Sequence, residues 1–572
     1  MKFLLSLLVF ICTWLAVDAQ TPRVTWGEPI KVKKGSTELD IIHVDKSGIF
    51  LQENHIVVRR MAFLGPPSKV SGTLIKLDKN MDEVYRNSFD KELKGKEFEC
   101  LIFANNKMFL FATAVKKGTN ALELFGTELD KTSGEQKGEW KTIMTVKSTE
   151  GARDILFSIR PNPDSTAIAL ATAVEYADRA EFSLSLINDK LTLAGKTLEV
   201  NYAVDPKEFV LEEMLYAPDG SVLVVNKMME YREGKKKKNK FLDFKEYDIR
   251  LFDKDGKMIS QVNVDGGDSR HIIQSKVVLK KDGNYTLGAF YSKQKKGSIH
   301  GLLFVTIDGK TGAVLNKGGQ EISNAMLVAN AEEGDDDEEE EESRKEAKER
   351  RRLEKLQEDD DNISSRYKIK DILSLENGSF MLMAEQYHTY SVTNMNGGGT
   401  GMGMGGTTTT TYSVHGNLLF VKVSAENSVE WMQMLPKKQV SEIARNSSPQ
   451  GYGLNMSIFI NRIPATHGSV GTMINPNNGN ILIFFNDNPK NSGVTSAGQK
   501  AKVMSKVAKS DCFMLEVNQA TGNYKRKMLF TNDDIPDAMP SMGSQIGNTY
   551  YMTGKRMRIG KTLIAVAKIT IK

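Results

Sequence analysis

Apolar and polar positions along this chain fall into a repeating unit. Gly301–Gly312 reads GLLFVTIDGKTG: an apolar run (Leu302, Leu303, Phe304, Val305, Ile307), a turn at Asp308–Gly312, then a second short strand in AVLNK. The same strand–turn–strand pattern recurs at Gly72–Val84, Leu122–Glu135, Glu181–Lys190, Tyr247–Ile259, Gly416–Trp431 and Asp511–Tyr524, which makes seven copies. A further apolar strand, Thr562–Lys572, ends the chain with no mate after it. Repetition of a short β unit predicts a repeat architecture.

Upstream of the copies lie other hairpins, with Asp219-Gly220, Asp282-Gly283, Asn377-Gly378 and Asn478-Gly479 between apolar runs. Asp-Gly and Asn-Gly pairs favour two-residue hairpin turns, in which both residues take positive φ. Four strands per unit joined by tight turns describe the blade of a β-propeller, an all-β fold. Many of the apolar runs are continuous, as strands covered on both faces require. The pattern predicts four-stranded antiparallel blades, eight in number, with seven as the alternative. The unpaired stretch Arg23–Val32 pairs with the C-terminal strand to close the ring, making Trp26 an outer-strand residue like Trp140 and Trp431.

Composition adds an address. Residues 1–19 read as a signal peptide: Lys2 is the charged start, Phe3–Val17 the apolar stretch, and Val17-Asp18-Ala19 a small-x-small cleavage site. Residues 20–572 then form a single propeller domain. The expectation is an exported protein in the periplasm or on the cell surface of a Gram-negative bacterium. After cleavage two cysteines remain, Cys100 and Cys512, in strands assigned to different blades. They are read as two buried thiols, with a single bridge as the alternative. Formal charge is +5, but residues 331–361 hold 17 acidic and 7 basic side chains, so the remainder is strongly positive. Such a surface favours anionic partners. An exported protein excludes nucleic acid in practice; peripheral contact with a membrane is compatible with this charge.

Six long segments interrupt the pattern: Glu53–Ser71, Glu230–Lys240 with its Lys235–Lys238 run, the charged insert at 331–362, the Gly/Thr-rich stretch 394–411, Lys437–Gly468 and Asn486–Ser510. The insert reads as a charged helix or disordered arm, with Glu346 and Arg350 spaced to pair. The stretch 394–411 has the composition of a flexible loop. Strands of a blade alternate in direction, so connections two-to-three and four-to-one share one face of the disk. All six segments are connections of those two kinds. Loops on a rigid scaffold are where binding concentrates, so this face is the expected partner surface. It carries Lys235–Lys238, Asp335–Glu342 and the apolar Ile56, Val57, Val58 and Phe63.

No local motif points to chemistry. The seven histidines (His43, His55, His271, His300, His388, His415, His467) form no spaced metal pair, and no nucleophile elbow, phosphate loop or dinucleotide fingerprint occurs. Asp253-Lys254-Asp255-Gly256 is read as a hairpin turn and not the start of a calcium loop. Met395, Met402 and Met404 have no His or Cys beside them and are read as filler. Catalytic residues are therefore unassigned, and neither cofactor nor metal is expected. LDKTSGEQKGEW (Leu129–Trp140) and IDGKTGAVLN (Ile307–Asn316) resemble the quinoprotein-type propeller repeat, whose turn reads Asp-x-x-Thr-Gly before an outer-strand Trp. VNQATGNYKRK (Val517–Lys527) is similar, with Asn for Asp and no Trp. Quinoprotein dehydrogenases of this type carry adjacent cysteines against the cofactor, and this chain has no such pair. The resemblance implies a relative that acts as an envelope scaffold. The reading is a non-catalytic binding or scaffold propeller, a monomer or a component of a complex, whose long-loop face takes a protein or glycan. The alternative is an envelope hydrolase or lyase with its site at the central channel, which carboxylates and basic residues converging at a channel mouth would favour.

Overall fold

In the computed structural model the chain is an eight-bladed β-propeller. The structure describes residues 22–571 except 33–35, 59–67, 117, 120, 148–151, 153, 163–164, 177, 203–207, 234–239, 268–269, 294–297, 324–365, 396–406, 446–466, 534–535 and 559–560. (Residue 152 alone within 148–153 is described.) Blades 1 to 7 span residues 36–88, 97–147, 154–202, 209–265, 271–321, 367–445 and 470–531. Within each, strands follow one another in chain order with antiparallel pairing. Blade 8 takes three strands from 538–570 and its outermost strand from the N-terminal end: Arg23–Trp26 and Ile30–Val32 both pair with Lys561–Thr570. Eight blades, not seven, result, and the ring closes as the unpaired end strands predict.

The burial of each strand follows its rank in the blade. Middle strands such as Ile168–Glu175, Tyr285–Ser292, Gly301–Ile307 and Ile481–Asp487 are buried at every position, because a neighbouring blade covers each face. Outer strands such as Met258–Asp265 and Val314–Glu321 are largely exposed. The core is divided among the blade interfaces. Phe50 and Leu74 of blade 1 meet Phe103 and Leu110 of blade 2. Phe484 and Met514 of blade 7 meet Tyr550 and Ala567 of blade 8. Ile564 and Val566 of blade 8 meet Leu51 and Ile75 of blade 1, sealing the ring. Each such Leu, Ile or Phe contributes about 1.5–3 kcal/mol by burial.

The turns have a simple logic. In Asp308–Gly312 the Asp308 carboxylate accepts the backbone N–H of Lys310 (2.9 Å) and Thr311 (2.6 Å) and the Thr311 hydroxyl (2.9 Å), and Gly312 takes φ 69°. Asn518 does the same for Ala520 and Thr521, each at 3.0 Å, so Asn substitutes freely for Asp. The Asp-x-x-Thr-Gly signature is thus a turn-capping device. Asp253 spends its carboxylate on the N–H groups of Asp255 and Lys257, which makes it a hairpin turn. The expectation of two positive φ values holds at Asn377-Gly378 alone; at Gly220, Gly283 and Gly479 only the glycine is left-handed. Those turns are one or two residues longer, a helical turn closed by a left-handed glycine.

Antiparallel order puts connections two-to-three and four-to-one of every blade at one edge. The strand ends that flank the six long segments all lie at that edge. The insert at 331–362, Lys235–Lys238 and Phe63 lie outside the described residues. The expected flexible loop at 394–411 is shorter than its composition suggested. Strands run to Met395 and resume at Thr407, because β-branched threonines suit an extended ladder; residues 396–406 lie outside the described residues. Neither cysteine is in a disulfide. Cys512 is buried, whereas Cys100 is only half-buried on an inner strand.

Candidate functional site

Blade 6 departs from the others. Its middle strands, Phe380–Met395 and Thr407–Val423, have 16 and 17 residues, against eight and seven in blade 5. Pairing with the inner strand Tyr367–Ser374 stops at Gln386. The remaining hairpin continues as a tower about 30 Å long on the long-loop side, at roughly 3.3 Å per residue. An extra strand, Gln439–Arg445, joins its flank opposite Thr410–His415. Tyr390 and Tyr412 face each other across the tower with ring centroids 5.2 Å apart. Thr389 beside them is exposed.

A buried charged hub fastens the base of this tower. Glu385, His415 and Lys437 are all within 1% of complete burial. Glu385 is paired with Lys437 through one oxygen; the other accepts from the Ser469 hydroxyl at 2.7 Å and lies 3.2 Å from His415 Nδ1. Lys437 Nζ also donates to Gln439 Oε1 at 3.0 Å, and that oxygen accepts the Ser469 N–H at 3.0 Å. Burial raises the Glu385 carboxyl, but Lys437, His415 and Lys370 outweigh it and hold the group well below the usual carboxylate range. Burial lowers His415, and the nearby Lys437 and Lys370 lower it further against the pull of Glu385. The Glu385–Lys437 pair, with Ser469 and His415 on the second carboxylate oxygen, forms a compensated set, as buried ionisable groups must. Gln439 donates onward to the Asn486 carbonyl; Asn486 Nδ2 donates to the His467 carbonyl at 2.9 Å and to that of Ala538 at 2.7 Å. One polar network thus ties blades 6, 7 and 8 together. Ser469 sits in it with φ 70°, a strained value for a non-glycine residue.

The segment Asn486–Ser510 is folded over the hub. Asn491 is buried, donates to Asp487 (2.9 Å) and the Lys502 carbonyl (2.8 Å), and accepts the Lys502 N–H (2.8 Å). Met504 bonds the backbone on both sides of Gln439: Val440 N–H donates to its carbonyl at 2.8 Å, and its own N–H donates to Lys438 at 2.9 Å.

Ionisable groups also gather on the inner strands of blades 3 to 6 and, at Lys227, on the second strand of blade 4. Lys276 Nζ lies 3.2 Å from Asp371 and donates to the Lys370 carbonyl at 3.0 Å. Ser275 donates to Glu212 at 2.5 Å. Burial lowers Lys227, and burial lowers Lys370 despite Glu385 beside it. Burial raises Glu213, with partial relief from the Met214 N–H, Arg160 and Lys276. Glu213 lines a cavity of 190 Å³ with Ser158, Arg160 and Tyr216. Arg160 and Tyr216 lie at or near the ends of inner strands that lead into short turns, so the short-turn side also offers a recess at the channel.

Three of the remaining histidines have structural partners: His43 stacks on Phe103 at 4.2 Å, His271 bonds Asp243 at 2.9 Å, and His467 Nε2 donates to the Lys555 carbonyl at 2.9 Å. Among the described residues no three His, Cys, Asp or Glu side chains are grouped to hold a metal ion. Sequence reading missed the hub, whose members come from four separate elements. The one signal present is Glu385 at the end of the apolar run Phe380–Ala384.

No family model and no curated protein matches the chain. Solved propellers do. Oligogalacturonate lyase in complex with manganese is 11% identical with a TM-score of 0.32, covering 82% of this chain and 94% of that one. The propeller domain of the Trilobed protease from Pyrococcus furiosus is 11% identical, TM-score 0.28, covering 74% and 99%. Prolyl oligopeptidase B from Galerina marginata is 9% identical, TM-score 0.27, and the match covers 64% of this chain but only 37% of that enzyme. The likeness is one of fold.

Proposed function

We propose that this is a binding or scaffold propeller of the cell envelope, of the exported, non-catalytic kind that its turn motif resembles. Its long-loop face takes a protein or glycan partner. The observation that carries the reading is the tower of blade 6, raised above the disk and braced by a buried Glu385–Lys437–His415 hub. A β-hairpin alone is marginal in water, and the extra strand, the hub and the Asn486–Ser510 cover all hold this one rigid. Rigid presentation lowers the ordering cost of binding. The test is capture from a solubilised envelope fraction by the full mature chain and by a variant in which residues 390–412 are replaced with Asn-Gly. The reading expects a discrete partner captured by the first and lost from the second, with the melting transition of the ring retained. Equal capture by both overturns it.

The inner-strand belt favours a second reading, an envelope hydrolase or lyase acting at the channel. Glu213 is a carboxyl raised by burial beside Arg160 and Lys276, the kind of perturbation that suits acid–base work. Turnover of an envelope polysaccharide that Glu213→Gln abolishes would establish it; unchanged turnover would remove Glu213 from any mechanism.

A further inference from the structure

The outer rim carries a groove apart from the tower and the inner-strand belt, with residues 495–497 of the long segment Asn486–Ser510 as one wall. It runs along the outer strand of blade 6, Val429–Leu435, with Gln320 of blade 5 at one wall and the turn and outer strand of blade 7 at the other. Its volume is 800 Å³, within the roughly 300–1,000 Å³ of small-ligand sites. Trp431 and Tyr524 present the aromatic surface; Gln433, Thr495 and Asn523 add amides and a hydroxyl.

Both rings are fixed. The Trp431 Nε1–H donates to the Gln519 carbonyl at 3.2 Å, and the turn at Gly522 lies so close that a Cβ there would be 2.7 Å from the indole. The Tyr524 hydroxyl donates to the Met434 carbonyl at 3.0 Å. The third wall, residues 495–497, is shaped by Gln499, whose side-chain oxygen accepts the N–H of Thr495 (2.7 Å) and Ser496 (3.1 Å). Ala497 anchors that wall on the interface between blades 5 and 6. The groove is therefore built before any ligand arrives.

Its chemistry is neutral. The lining contains one charged side chain, Glu430, and Lys422 engages it at 2.8 Å. An anion would find no cation among the lining residues. A hydrophobic peptide would find amides and hydroxyls where apolar pockets are needed. A flat aromatic face bordered by amide and hydroxyl groups suits a sugar ring, which offers C–H bonds on its faces and hydroxyls on its edge. The length, from blade 5 to blade 7, suits several linked sugars. We propose that this rim groove binds a neutral oligosaccharide chain, stacked on Trp431.

The test is calorimetric titration of the full mature chain with maltohexaose, cellohexaose, mannohexaose and chitohexaose, with a hyaluronan hexasaccharide as the charged comparison. At least one neutral hexasaccharide should bind with Kd of about 1 mM or tighter. Trp431→Ala removes the platform. Thr495→Arg fills the groove from an exposed loop position, without disturbing the core. Each should weaken binding about ten-fold or more, and Trp140→Ala, on the outer strand of blade 2, should leave it unchanged. Failure of all four neutral sugars to bind, tighter binding of the hyaluronan fragment, or binding that survives Thr495→Arg overturns the proposal.

Discussion

Val24 lies opposite Ile569 in an antiparallel ladder, so the two ends of the chain share one blade. Ile30–Val32 pairs with the same C-terminal strand, whose Ile564 and Val566 pack against Leu51 and Ile75 of blade 1. Val24→Cys with Ile569→Cys should form a disulfide detectable by peptide mapping. Closing so long a loop should stabilise the fold by about 2–5 kcal/mol. Truncation before Lys561 should abolish cooperative unfolding, since it strips the last blade of its central strand and exposes an edge. A truncated chain that melts like the whole one would refute ring closure as a source of stability.

The hub is a set of compensating charges, so removing one member costs more than the pair contributes. Lys437→Met should destabilise by about 3–5 kcal/mol, because Glu385 is left buried without its main partner. The double variant Glu385→Gln, Lys437→Met should lose clearly less than the sum of the single losses. Urea denaturation of the four proteins measures this, and additive losses would show that the two side chains act separately.

The turn-capping role of Asn518 predicts a graded series. Asn518→Asp should change stability by less than about 0.5 kcal/mol, since either side chain accepts the same N–H groups, and Asn518→Ala should cost about 1–2 kcal/mol. Thermal melts separate the two; equal losses would mean that the bonds at 3.0 Å contribute nothing.

Fold class, blade count and closure were legible because they depend on periodicity and on which end strands lack mates. The tower was not: Asn394–Met395 and Thr407–Thr411 flank a glycine-rich run whose composition reads as a linker, yet they lie in strands. The hub escaped for a different reason. Glu385, His415, Lys437 and Ser469 come from two strands, a link and the entry to the next blade, and only the fold brings them together. Turn types were legible in position but not in geometry. Asp219-Gly220 and Asp282-Gly283 mark hairpins correctly, while the capping bond from the Asp, at 2.9 Å in each case, lets the first residue keep negative φ.

His388 on the tower supplies a pH dependence. Burial, with Arg366, Lys438 and His415 adding to it, lowers its pKa to about 4. The ordinary value is 6.5. Between these values the unfolded chain binds the proton and the folded one does not. The contribution of this group to stability is therefore full above pH 6.5 and is lost as pH falls towards 4. Unfolding free energies of the native chain and His388→Gln, measured from neutral pH to mildly acidic, should converge as pH falls. A constant difference would mean that His388 titrates normally.

The proposal that the long-loop face is the partner surface is tested most directly by site-specific photo-cross-linking in intact cells. A benzophenone side chain at exposed Thr389, on the tower, should give one discrete adduct with an envelope component. The same group at exposed Asp282, in a short turn on the opposite side, should give none. Adducts from Asp282 with none from Thr389 would contradict the account.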